Sequence, residues 1–114
     1  MTFGYQVLGF GSGSAGTPAT ENDNGIFGFG VTDLSITNLV SDVGVVSTDV
    51  TGVGTARGAL MATQYGGDKG IFGFGYFSGD DTAITNLVSN TGVVATDTTG
   101  VGTARRLGAA CSYN

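Results

Sequence analysis

The chain contains no histidine. That removes the commonest general base and nitrogen metal ligand, and it makes a Ser-His-Asp or Cys-His arrangement impossible. Cys111 is the single cysteine, so no internal disulfide and no cysteine-based zinc site can form. Its small neighbours Ala109, Ala110 and Ser112 predict a small buried thiol in a strand. Only four residues are basic against nine acidic, a net charge of −5, which argues against nucleic acid as a partner because phosphate binding needs a clustered Lys/Arg surface. Tryptophan, a frequent platform for sugar stacking, is also absent. No apolar run approaches the roughly 20 residues that span a bilayer. The opening Met1-Thr-Phe-Gly-Tyr-Gln-Val-Leu has no basic region ahead of an apolar segment and does not read as a secretory signal. The compartment stays open, since virion proteins lack such a signal too.

What the chain has in excess is glycine, 22 residues of 114, against an ordinary usage of roughly 7%. Glycine at that density disfavours helices and suits tight turns and close backbone approaches. The remaining apolar residues are mostly Val, Ile, Phe and Leu, which fit a pleated sheet. The pattern is also doubled. Residues 36–57, Ile-Thr-Asn-Leu-Val-Ser-Asp-Val-Gly-Val-Val-Ser-Thr-Asp-Val-Thr-Gly-Val-Gly-Thr-Ala-Arg, return at 84–105 with four of 22 positions changed and an offset of 48. Gly25-Ile-Phe-Gly-Phe-Gly30 returns as Gly70-Ile-Phe-Gly-Phe-Gly75 at an offset of 45, so the second copy carries three extra residues before its Ile-Thr-Asn. A third, partial occurrence aligns Gly102–Tyr113 with Gly54–Tyr65.

Strand signals fall in a fixed order within the repeat. Four strands are expected: A (Ala59 to Tyr65), B (Gly70 to Phe77), C (Ala83 to Ser89) and D (Gly92 to Thr98). The earlier copies of B, C and D are Gly25 to Val31, Ile36 to Ser41 and Gly44 to Val50. The turns Ser41-Asp-Val-Gly44 and Ser89-Asn-Thr-Gly92 place Gly where φ must be positive, which is short-hairpin chemistry. The chain thus reads B-C-D, A-B-C-D, A. Residues 1–24 stand outside the repeat, with Phe3 to Phe10 as a candidate strand and Gly11-Ser-Gly-Ser-Ala-Gly-Thr-Pro18 as a connector.

Four short antiparallel strands per repeat of 45 to 48 residues, with Gly-rich turns, point to a β-propeller blade. An Arg just ahead of a small-residue strand (Arg57, then Ala59 to Tyr65) precedes a hydrophobic strand ending in spaced glycines (Ile71-Phe-Gly-Phe-Gly75). A variable insertion and a C–D hairpin then lead to the next Arg. Over about residues 25 to 113 this order resembles the kelch repeat. The chain departs from it in having Gly-Phe-Gly for the paired glycines, and Val46 and Val94 for the Trp of the last strand. The resemblance implies an all-β propeller of four-stranded antiparallel blades, two per chain, one of them split between the chain ends. Near-identical repeats behind an opening like Tyr5-Gln-Val-Leu-Gly-Phe-Gly11 are also similar to marine phage structural proteins, which implies a virion or extracellular setting.

Two blades cover only part of a ring of about four to eight, and they leave bare faces and unpaired strand edges. The chain is therefore expected to partner itself, as a dimer, trimer or tetramer in head-to-tail contact, with a six-bladed trimer as the central case. In that arrangement the C-terminal strand Arg106–Tyr113 completes a neighbour's blade.

The candidate chemistry is sparse. Arg57 and Arg105 recur with the repeat. They either line a pocket and grip a sugar hydroxyl, carboxylate or sulfate, or bond carbonyls of the adjoining blade. Tyr76-Phe-Ser-Gly-Asp-Asp81 breaks the repeat while adding aromatics and charge, so Tyr76, Asp80 and Asp81 join the two arginines as candidate ligand-binding residues. Asp80-Asp81 reads otherwise as a solvated turn, Asp49 and Asp97 as turn or cap residues, and Tyr65 and Tyr113 as packing residues. Gly11 to Gly16 matches G-x-G-x-x-G, but Thr17-Pro18 follows and no helix does, so no dinucleotide site is expected. Glu21-Asn-Asp-Asn-Gly25 and Gly66-Gly-Asp-Lys-Gly70 read as ordinary turns, the first being too short for an EF-hand loop. No catalytic residue, cofactor or metal is expected. The leading reading is a non-enzymatic structural and binding module whose partners are itself and carbohydrate or another surface protein. The alternatives are a carboxylate-based glycoside hydrolase and a fragment of a longer repeat protein.

Overall fold

The computed structural model describes residues 23–113, so the candidate strand Phe3 to Phe10 and the connector to Pro18 lie outside the described residues. The described chain is all-β, with antiparallel pairing and no helix. In the first unit β1 (Gly25–Gly30) pairs with β2 (Leu34–Val40). In the second, β3 (Met61–Tyr65), β4 (Lys69–Gly73) and β7 (Thr85–Val88) form a sheet in the order β3-β4-β7. A two-stranded hairpin, β5 (Tyr76–Phe77) and β6 (Asp80–Asp81), is made by the residues that interrupt the repeat.

Strands A, B and C of the second unit therefore lie side by side in sequence order. Strand D is present in both units but not as a continuous ladder. It touches its C strand at Val40–Val46 and Thr37–Val50 in the first unit, and at Val88–Val94 and Thr85–Thr98 in the second. Between those bridges an asparagine enters the ladder: Asn38 Nδ2 donates to the Ser47 carbonyl at 3.2 Å, and Asn86 Nδ2 to the Ala95 carbonyl at 3.1 Å. The C–D turns form as their residues require, with Gly44 at φ 81° and Gly92 at φ 79°. Each glycine N–H donates at 2.9 Å to the carbonyl three residues back, Ser41 or Ser89.

Strand B of the second unit is shorter than expected. Phe74 and Gly75 take positive φ, 64° and 112°, so the ladder stops at Gly73 and Tyr76–Phe77 turn away to pair with Asp80–Asp81. Asp80-Asp81 is thus a short exposed strand, and the turn itself falls on Ser78-Gly79. The other corrections concern the last strand. Residues 106–113 form no ladder within the chain, so Cys111 is exposed rather than buried in a strand. Tyr65 and Tyr113 are exposed too, at 38% and 94%.

The buried apolar residues among those described are Met61, Phe72 and Val88, all in the second unit. Phe72 is 4% exposed because its ring reaches across to the first unit, meeting Phe29 edge-on with centroids 5.1 Å apart. The Phe72 ring also fills the space where a side chain at Gly28 would stand. Phe27, which holds the same place in the first unit, is 63% exposed.

Candidate functional site at the junction of the two units

The connection Gly52 to Gly58 leaves the first unit and enters the second, and its Thr55-Ala56-Arg57 step joins them. The Arg57 N–H donates to the Leu34 carbonyl of the first unit at 3.4 Å. Its side chain then crosses to the second, where Nε donates to the Phe74 carbonyl at 2.7 Å and Nη2 to Asn86 Oδ1 at 2.7 Å. Nη1 donates to the Thr55 carbonyl at 3.1 Å, and the guanidinium lies over the Phe29 ring, 4.7 Å from its centroid. Asn86 passes the contact on, its Nδ2 donating to Asp97 Oδ1 at 2.8 Å. Asp97 also accepts from the Thr55 N–H at 3.0 Å and from the Thr55 hydroxyl at 2.6 Å. Six residues, Leu34, Thr55, Arg57, Phe74, Asn86 and Asp97, thus form one connected polar lock across both units, and both Arg57 and Asn86 are 0% exposed.

The electrostatics follow from that geometry. Burial lowers the Arg57 pKa, and the Asp97 charge opposes the shift. Burial raises the Asp97 pKa, but the hydrogen bonds from Thr55 and Asn86, with the Arg57 charge, outweigh it and hold the carboxyl below its ordinary value. Arg57, offered by the sequence as a ligand-gripping residue, is occupied by its own chain. Two of its three hydrogen-bond acceptors are carbonyls, and the third is an asparagine that the sequence reading passed over.

The equivalent residues of the other repeat copies form the two halves of the same lock, apart from each other. Asn38 Nδ2 donates to Asp49 Oδ1 at 2.8 Å, as Asn86 does to Asp97, on an exposed face of the first unit. At the far end Arg105 lies over the Phe74 ring, 3.7 Å from its centroid, as Arg57 lies over Phe29, and its Nη1 donates to the Thr103 carbonyl at 3.2 Å. Arg105 is exposed. Phe29 and Phe74 share a left-handed backbone, φ 63° and 64°, uncommon for a bulky residue. At both places a phenylalanine in that conformation carries an arginine on its ring.

Tyr76, Asp80 and Asp81 come together on the β5–β6 hairpin, paired as Tyr76 with Asp81 and Phe77 with Asp80. Arg106, which the sequence reading did not single out, clamps them: it lies 4.1 Å over the Tyr76 ring, and its Nε is 3.5 Å from Asp81 Oδ1. Arg57 is not part of that surface, although Gly58 beside it pairs with Tyr76.

A groove of about 500 Å³ opens between the units, with Asn24 and Ile26 on one wall and Gln64, Asp68, Lys69 and Asn90 on the other. Lys69 Nζ bonds Asp68, which lowers the Asp68 pKa and raises that of Lys69. Among the described residues no three His, Cys, Asp or Glu side chains gather as a metal-ligand set. No protein-family model matches the chain, and neither a curated protein nor a solved structure matches it.

Proposed function

We propose that the chain is a non-enzymatic structural and binding module, a subunit of a ring-shaped kelch-like β-propeller in which three copies supply six blades. Its ligand is a polyhydroxylated polymer, a surface glycan, held in the grooves between blades. The observation that supports this is the groove at the unit junction, whose volume of about 500 Å³ is of the size small ligands occupy. Its walls carry amide, carboxylate and ammonium groups, from Asn24, Gln64, Asn90, Asp68 and Lys69, that can donate to and accept from sugar hydroxyls. A ring of near-identical blades would repeat the groove at every junction, so weak single contacts would add up by multivalency.

The test is a glycan-array screen of the wild-type chain beside its Asp68→Ala and Asn90→Ala variants, with native mass measured by light scattering on the same samples. The proposal expects binding to a limited glycan set that both variants weaken without changing the mass. Absence of binding to any arrayed glycan overturns the ligand reading.

A further inference from the structure

We infer that a second copy of this chain docks head to tail on the first, with Thr103 and Arg105 of one copy completing the Asn38–Asp49 pair of the next. The inference deepens the ring reading above and rests on it, because it names the surface through which copies would join.

The observation is that the chain already contains this interface once, internally, together with both of its separated halves. The donor half is Gly54-Thr55-Ala56-Arg57, and Gly102-Thr103-Ala104-Arg105 repeats it residue for residue. The backbone repeats as well. Gly54 and Gly102 have φ 102° and 110°, and Ala59 and Leu107, two residues past each arginine, have φ 53° and 54°. The Arg105 N–H donates to the Thr82 carbonyl at 3.4 Å, as the Arg57 N–H does to that of Leu34. The second segment is therefore held in docking conformation by its own unit. What differs is what it faces. A side chain at Gly54 would stand 2.5 Å from Asp97 Oδ1 and 2.6 Å from Asn86 Nδ2, whereas one at Gly102 would meet nothing within 4 Å.

The acceptor half is equally preformed. Asn38 and Asp49 are bonded to each other as Asn86 and Asp97 are, but among the described residues no threonine or arginine caps them. Phe27 stands beside them 63% exposed, where Phe72 is 4% exposed against Phe29. In the docked pair Phe27 of the next copy would meet Phe74, the ring already under Arg105. The charges are complementary, an arginine on one face and an aspartate on the other, and the two faces match because they are copies of surfaces that already fit.

The same superposition gives a strand register. β3 pairs with β4 as Met61–Gly73, Ala62–Phe72, Thr63–Ile71, Gln64–Gly70 and Tyr65–Lys69. Moved by the repeat offsets, residues 109–113 of one copy lie along residues 24–28 of the next, with Cys111 opposite Ile26. The edge of β1 away from β2 is unpaired among the described residues, and residues 106–113 form no ladder within the chain, anchored at their start by the Leu107 N–H donating to the Ala59 carbonyl at 3.0 Å.

The experiment is oxidative cross-linking of the full chain carrying Ile26→Cys, using native Cys111 as the second thiol, with Gly25→Cys as the control, a position where a side chain meets only Val40 at ordinary contact distance. Directly opposed residues of an antiparallel pair lie within disulfide reach, and the neighbouring residue points to the other face. Expected is a covalent ladder of chains whose linked peptides, by mass spectrometry, join the segment around residue 26 to that around 111, weak or absent in the control. Light scattering of the unoxidised chain and of Arg105→Ala runs in parallel. Arg105 is exposed in the single chain, so the variant folds, and association should weaken by roughly tenfold or more. A chain that associates as strongly with Arg105→Ala, and gives no linkage between the two segments, overturns this interface while leaving an oligomeric module standing. A monomeric mass overturns both.

Discussion

Arg57 Nη2 donates to Asn86 Oδ1 at 2.7 Å, and these two side chains, one from each side of the unit junction, are the largest in the described chain with no exposed surface. The centre of the junction is therefore a cation and an amide. The apolar core beside it is small, Met61, Phe72 and Val88, so the polar lock carries much of the task of setting how the units meet. It can do so because each buried side-chain nitrogen and oxygen in it has a directed hydrogen-bond partner. Apolar contact alone would leave two smooth sheets free to slide.

Asn86→Ala should destabilise the chain by about 3 kcal/mol, since it leaves a buried guanidinium short of an acceptor and Asp97 short of a donor. Asn38→Ala removes the same residue from the same repeat position. There it takes away only exposed hydrogen bonds to Ser47 and Asp49, and about 1 kcal/mol is expected. Urea unfolding of both variants, at a dilution where the chain is monomeric, checks the difference.

Asp97 gives the junction a pH dependence. Its folded-state pKa is depressed, so the ionised form is favoured by folding. The resulting stability is fully present above the unfolded-state value of about 3.9 and is lost as pH falls through the lower folded-state value. Thermal melting of wild type and Asp97→Asn should show a constant gap between about pH 7 and 5 that narrows below about pH 4. A gap that widens on acidification would contradict the assignment.

Gly54→Ala and Gly102→Ala separate backbone strain from close approach. Both glycines sit in the left-handed region, at φ 102° and 110°, so an alanine is strained at either by about 1 kcal/mol or more. Only at Gly54 would the new methyl run into Asp97 and Asn86. In the monomeric chain Gly54→Ala should therefore be the more damaging by at least about 1 kcal/mol in urea unfolding.

The sequence made most of strands A, B and C and the C–D turns legible because those depend on neighbours in the chain: alternation in Gly25 to Gly30, and an Asp or Asn two residues ahead of a Gly in the turns at Ser41 and Ser89. The break in strand B was not legible. Phenylalanine is a poor candidate for positive φ, and Phe74 adopts it where an arginine from elsewhere in the chain needs a ring and Arg57 needs a carbonyl. Arg57 and Arg105 sit in identical Gly-Thr-Ala-Arg words, so no local reading could tell that one is sealed and the other open. Burial here is decided by whether a unit follows in space. The recurring Asn of Ile-Thr-Asn was the available signal for the lock, visible as an identity between repeats but without meaning until Arg57 was placed beside it.

The β5–β6 hairpin offers a last test, because its turn chemistry falls short of its geometry. Ser78 and Gly79 both take positive φ, 52° and 97°, across a two-residue loop between the pair Phe77 and Asp80, which is the type I′ arrangement. Such a turn favours Asn-Gly, since asparagine tolerates the left-handed region better than serine does. Ser78→Asn should therefore stabilise the hairpin by a few tenths of a kcal/mol, and Ser78→Val should destabilise it by about 1 kcal/mol, because a β-branched residue is strained there. Amide hydrogen exchange at Phe77 and Asp80, the pair that the turn closes, reads the effect locally, with slower exchange for Ser78→Asn and faster for Ser78→Val. The Arg106 clamp on Tyr76 and Asp81 should respond in step, so if the hairpin is held by its turn, Arg106→Ala will accelerate exchange less in the Ser78→Asn background than in wild type.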